Sequence, residues 1–168
     1  ALGHILKAHP TSPDDVESIR VTLPVGGAAT VNDREMPNIN LQHMMAVLLM
    51  DGSITFAAAH DIKRFSDPVT KSLREKVELK GDNALVTPES PRQGIVELQT
   101  KDGESYRDHV VAVRGTMENP MTTEEVESKA RDLLAPSLGG DKADRLIKVI
   151  GDLESLGSVR GLRELLRP

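Results

Sequence analysis

The sequence predicts an α+β fold, a small antiparallel sheet packed with helices, and three observations lead to it. From Val16 to Leu23, apolar Ile19, Val21 and Leu23 alternate with Arg20 and Thr22, the pattern of a half-buried strand. Asp102-Gly103 interrupts a second β-rich run, and both residue types tolerate the positive φ angles of a tight hairpin turn. Elsewhere apolar residues recur at intervals of three and four behind residues that cap helices.

Taken in order, Ala1 to Ala8 reads as a helix stopped near Pro10, because proline lacks the N–H that a continuing helix needs. The strand from Val16 is closed by Pro24, and "VGGAATVNDREMPN" reads as a long loop. Asn40 can accept from the first free backbone N–H groups of a helix over Leu41 to Met50, which Asp51-Gly52 ends. Leu41, Met44, Met45, Leu48 and Leu49 make one face apolar, and Ala46, Val47 and Met50 make the other so, which places this helix centrally. Thr55 caps a short helix through Ala57 to Ala59. Asp67-Pro68 starts the next helix, with Val69, Leu73 and Val77 expected on one apolar side. A short strand follows near Val77 to Leu79, then a turn-rich surface crossing.

In the hairpin "GIVELQTKDGESYRDHVVAV", a two-residue turn sets Leu98 opposite Arg107 and Glu97 opposite Asp108, an unfavourable like-charge pair. Thr122 and Glu125 form a capping box before Val126, Ala130, Leu133 and Leu134. A break over Pro136 to Gly140 precedes a helix with Ala143, Leu146, Ile147, Ile150 and Leu153 on one face. A last short helix carries Leu162, Leu165 and Leu166.

A chain of 168 residues fits one domain, 1–168, or one module of a larger protein. It lacks an initiating Met and opens in helix-like sequence, so it is expected to begin inside a longer polypeptide. There is no cysteine, which excludes disulfides and thiolate metal sites. Twenty-one basic against 26 acidic residues give a net charge of -5, and the basic ones are dispersed. With only three aromatics, Phe56, Phe65 and Tyr106, neither an electrostatic stripe nor a stacking platform for nucleic acid exists. No signal peptide and no run of about 18 apolar residues is present, so the expectation is a cytoplasmic protein without a membrane span.

The chemistry-bearing residues are sparse. "PVGGAATV" has adjacent glycines but neither the spacing nor the Lys-Ser/Thr ending of a phosphate loop. His60-Asp61 has no third ligand nearby in sequence, so no metal is expected, and no cofactor motif occurs. The G-x-S-x-G elbow of serine hydrolases is missing. The histidines are His4, His9, His43, His60 and His109, and histidine titrates near neutrality, so acid/base chemistry stays open. On residue chemistry alone each is better read as a surface or hydrogen-bonded residue than as a reactive group.

Four phrases taken in order, "NINLQHMMAVLLMDGSITFAAAHD", "DPVTKSLREKVEL", "VELQTKDG" and "VRGTMENPMTTEEVESKARDLLAP", resemble the C-terminal domain of the MmgE/PrpD family. That group contains 2-methylcitrate dehydratase and cis-aconitate decarboxylase, and the resemblance runs from about Val16 to Leu166. It implies a smaller α+β domain that faces a large helical N-terminal domain, absent from this chain, across an active-site cleft. It also implies a homodimer, no obligatory metal or organic cofactor, and a lyase acting on a small polycarboxylate such as 2-methylcitrate. Decarboxylation or epimerisation of a related dicarboxylate is the alternative, as is an isolated module that only docks and is itself inactive. On the same basis His43 stands where many relatives have an aromatic, commonly tyrosine. Asn38, Asn40 and Gln42 share its approach to the cleft, and Thr55 and His60 follow on the next helix.

Overall fold

The alternating run forms strand β1, Val16–Pro24, in which Ile19 and Val21 are 1% and 3% exposed while Arg20 faces solvent. In the computed structural model, residues 1–167 are described, and they form two compact units, Ala1–Asn119 and a second that begins at Pro120. The first holds a four-stranded sheet of order β2-β1-β3-β4, with β2 at Val77–Asp82, β3 at Gly94–Thr100 and β4 at Ser105–Val110. The α+β class holds. The sheet is antiparallel from β1 through β4, and β2 joins it in parallel. Parallel pairing requires a long crossover, and here the crossover is the whole helical segment between β1 and β2.

One face of the sheet is dry. Ile19, Val21, Val77, Val96 and Leu98 pack with Leu2 and Ile5 of helix α1, Leu2–Ala8, and with Ala46 and Leu49 of helix α3, Leu41–Asp51. The other face carries an alternating charge row. Arg20 lies beside Glu78 on one side and Glu97 on the other, and Glu97 lies beside Arg107. Arg20 donates to Glu78 at 2.9 Å, and Arg107 stands 3.8 Å from Glu97. These pairs are exposed and screened by solvent, so they select the register more than they hold the fold.

That register differs from the sequence expectation by one residue. Glu97 lies opposite Arg107 and Leu98 opposite Tyr106, which replaces the like-charge pair with an attractive one. The cause is the turn: Thr100 N–H bonds to Glu104 O at 2.9 Å, leaving Lys101, Asp102 and Gly103 as a three-residue loop. Gly103 takes φ of 95°, the position where this loop needs glycine.

The segment after Pro24 is also not the expected loop. Residues Val25–Val31 form helix α2, and Pro37–Ile39 a 3-10 turn. Two glycines make this a weak helix by propensity, but α2 lies on β2 at Gly81. A Cβ there would meet Val25 Cα at 3.3 Å and Ala28 Cβ at 3.4 Å, so the missing side chain lets the helix sit down on the strand. Arg34 closes its end by donating to the carbonyls of Thr30 at 2.7 Å and Ala29 at 2.9 Å.

Helix α3 matches expectation: Asn40 caps it, Gly52 ends it at φ of 71°, and none of Leu41 to Met50 is exposed. Two short helices follow, α4 at Phe56–Ala59 and α5 at Ile62–Phe65, the latter unexpected and capped by Asp61. Helix α6, Pro68–Glu75, starts at the Asp67 cap, but its inner face is Thr70 and Leu73, and Val69 is 64% exposed. Val77 belongs to β2 instead.

The second unit pairs helix α7, Thr123–Leu138, with helix α8, Gly140–Gly151. The capping box of Thr122 and Glu125 is formed, and Arg131 bonds to Asp144 at 2.6 Å between the two helices. The helix runs through Pro136 and breaks at Gly139, φ 79°, because a proline in the last turn forfeits only one backbone bond. Ala143, Leu146 and Ile147 are buried in this unit, while Val126 and Ile150 stay half exposed.

Candidate functional site

The site is assembled at the start of α3. Asn40 is fully buried and makes three bonds: its Oδ1 accepts from His43 N–H at 2.8 Å, and its Nδ2 donates to Arg34 O at 2.6 Å and Asp33 Oδ1 at 3.3 Å. Gln42 is 8% exposed; its Nε2 donates to Asn32 Oδ1 at 2.7 Å, and its Oε1 accepts from Asp33 N–H at 3.0 Å. Together these amides clamp the 32–34 turn onto the helix. Asp33 sits in that turn at φ of 43°, a left-handed conformation that Asp tolerates better than most residues.

His43 follows the cap. Its ring is 0% exposed, and neither Nδ1 nor Nε2 has a hydrogen-bond partner. It meets the Phe65 ring edge-on, with centroids 5.1 Å apart and planes at 72°. Arg74 lies over the same Phe65 ring at 4.1 Å, donates from Nη1 to Phe65 O at 3.3 Å and from Nη2 to Asp33 Oδ1 at 3.1 Å. Its Nε is buried without a partner. Thus every buried side-chain N or O without a partner among the described residues belongs to His43 or Arg74, the two groups that contact the Phe65 ring.

Electrostatics follow from this packing. Burial pushes the His43 imidazole below its ordinary pKa, and the positive charges of Arg74 and Arg64 push the same way against the weaker pull of Asp61. The ring is therefore neutral near pH 7, with one nitrogen able to accept a proton and the other to donate one. Arg64 is itself fixed by a two-pronged pair with Asp51, Nη1 to Oδ2 at 2.5 Å and Nη2 to Oδ1 at 2.8 Å. That pair holds the Asp51 carboxyl below the usual carboxylate range.

Of the other residues singled out from sequence, Asn38 is half-buried in the 3-10 turn before α3. Thr55 spends its hydroxyl on Ala58 N–H at 3.1 Å, capping α4. His60 is exposed; its Nδ1 lies 2.8 Å from Phe56 O, and its ring lies 4.1 Å from the Phe56 ring. The structure thus joins Asn40, Gln42 and His43 into one bonded group and gives Thr55 and His60 local partners. It adds three residues that sequence reasoning passed over. Asp33 falls in the segment expected to be loop and Arg74 carried no signal of its own, whereas Phe65 is one of only three aromatics.

A cavity of about 440 Å³ opens beside the clamp, lined by Asn32, Asp33, Gln42, Lys71, Arg74 and Glu75. His43 is not on its wall. No group of three or more side chains able to hold a metal occurs among the described residues, and no described helix is long and apolar enough to cross a membrane.

The profile of the MmgE/PrpD C-terminal domain matches residues 1–155, thus spanning the sheet, the clamp and both helices of the pair. The chain belongs to the MmgE/PrpD family. Human (Homo sapiens) cis-aconitate decarboxylase is similar to it, 27% identical over 128 residues. Those residues are 76% of this chain and 26% of that protein, so the chain spans about a quarter of this relative's length. The matched region of this MmgE/PrpD chain contains His43, Phe65 and Arg74.

Proposed function

We infer that this chain supplies one wall of the active site of a lyase that acts on a small polycarboxylate. The observation that carries the reading is the set of unpartnered buried groups at Phe65. An imidazole and a guanidinium N–H are kept from water and unbonded, at a cost of about 1–3 kcal/mol for each unsatisfied group. Proteins retain such a cost where a ligand or a partner group completes the bonding. A neutral imidazole beside two arginines suits a substrate rich in carboxylates, because the cations attract the anion while the imidazole is free to exchange a proton.

In a dehydration of a 2-methylcitrate-like substrate, a base takes the proton next to a carboxylate, the C–O bond breaks, and the departing hydroxide leaves as water on protonation. His43 serves as one of these proton-handling groups. The other belongs to the helical domain expected to face this one, in a homodimeric cytoplasmic enzyme. The ring is covered in the structure, so contact with substrate requires Phe65 or its neighbours to give way. Decarboxylation is the second reading, favoured by the similarity to human cis-aconitate decarboxylase. On either reading the isolated chain is inert, since it holds one wall only.

The test is an assay of the intact parent protein with 2-methylcitrate, citrate and cis-aconitate, following unsaturated product and carbon dioxide separately. Unsaturated product without carbon dioxide supports dehydration, and carbon dioxide supports decarboxylation. No turnover of any of the three defeats the polycarboxylate reading. His43→Gln in the same protein should cut turnover at least 100-fold while leaving its unfolding midpoint close to wild type. Near-normal turnover removes His43 from the chemistry.

A further inference from the structure

Asp33 is the one non-glycine residue with positive φ among those described, and it does more than turn the chain. Its carboxylate lies 73% exposed, yet its Oδ1 accepts from two side chains of the site: Asn40, which starts α3, and Arg74, which comes from α6. Arg74 in turn is held at three points: on Asp33, on the Phe65 carbonyl and over the Phe65 ring. Phe65 presses its ring on His43. Phe65 and Arg74 are both partly exposed, whereas His43 beneath them is fully buried.

We propose that Asp33 is the positioning residue of this site: it fixes Arg74 on Phe65, and the resulting stack closes over the His43 imidazole and shuts out water. The proposal rests on the functional reading above for the use of His43, but its structural content is independent of any substrate. Asp33 acts through Arg74 and touches neither His43 nor Phe65. Without its acceptor, the guanidinium keeps only the carbonyl and the ring face as anchors, and water competes for both. The charged groups acting on the imidazole are Arg74 of α6, and Arg64 and Asp61 of the α5 segment, with Arg64 neutralised in part by Asp51. Moving Arg74 away and admitting water act on the ring in the same direction, and both favour its protonated form.

The experiment is an NMR titration of the histidine rings in the 168-residue chain, with the His43 signals assigned by their loss in His43→Gln. It compares wild type with Asp33→Gly, Arg74→Met and the double variant. Glycine accepts φ of 43° without strain, so Asp33→Gly retains the turn and the Gln42 bond to its N–H while deleting the carboxylate. Wild-type His43 should titrate below the ordinary histidine value. Asp33→Gly and Arg74→Met should each raise its midpoint toward the ordinary histidine value, and the double variant should match Arg74→Met alone. Asp33→Asn retains an acceptor oxygen and should restore most of the wild-type midpoint, which also guards against misfolding of the glycine variant. An unchanged or lowered midpoint in Asp33→Gly overturns the proposal, as do effects that add in the double variant. Because no substrate is present, failure here leaves the lyase reading standing, and failure of the turnover assay leaves this result standing.

Discussion

Replacing Asn40 tests whether this residue is a structural keystone of α3 as well as part of the approach to the site. Asn40→Ala removes the cap on His43 N–H, a loss of about 1 kcal/mol. It also removes two donated bonds, to the Arg34 carbonyl and to Asp33 Oδ1, at about 1 kcal/mol each. The expected cost is thus about 3 kcal/mol, a fall of about 1.5 M in the urea midpoint at an m-value of about 2 kcal/mol/M. Asn40→Ser retains a capping oxygen and loses only the donors, so it should cost about 2 kcal/mol. The natural probe is Tyr106: the chain has no tryptophan and this single tyrosine, half-buried in β4 and stacked on His9 at 4.1 Å. Its fluorescence therefore reports the first unit alone. A loss under about 1 kcal/mol for Asn40→Ala, or equal losses for alanine and serine, would refute this account of the three bonds.

Two further outcomes follow from His43. His43→Leu replaces an enclosed, unbonded imidazole by an apolar side chain of similar volume and should raise stability by about 1 kcal/mol; urea unfolding that shows a loss of more than about 1 kcal/mol would mean that the ring is bonded. The pH dependence has a definite sign: because the folded pKa of His43 is depressed, the unfolded chain binds the proton first, and stability contributed by the neutral ring is present above the ordinary value of about 6.5. It is lost as pH falls through that value toward the lower folded one. Unfolding curves between pH 8 and 5 should show this loss in wild type and lack it in His43→Leu, and identical slopes in the two would contradict it.

What was legible in the sequence was local. The caps at Asn40, Thr55, Asp67 and Thr122 and the stop at Gly52 are formed as their residue types predict, because each is settled within three or four residues of chain. The apolar helix that lacks a wet face was equally readable, since its burial is written in its own composition. Hairpin register was not, because one extra turn residue shifts every pair and only the loop geometry counts it. Helix α2 depends on the bare backbone of Gly81, more than 50 residues away, and parallel β2 depends on how the whole crossover packs.

The site divides in the same way. Sequence alone, through a resemblance carried by four phrases, determined the family and drew attention to Asn38, Asn40, Gln42 and His43. It had no means of linking Asp33 to Arg74, 41 residues further on, or of bringing Phe65 against both that guanidinium and His43. Those contacts join residues whose own neighbours in sequence are loop, charge and turn. Tertiary structure decided them because only packing α3, α5 and α6 together removes water from His43, and removing water is what turns an ordinary imidazole into a neutral, unpartnered one.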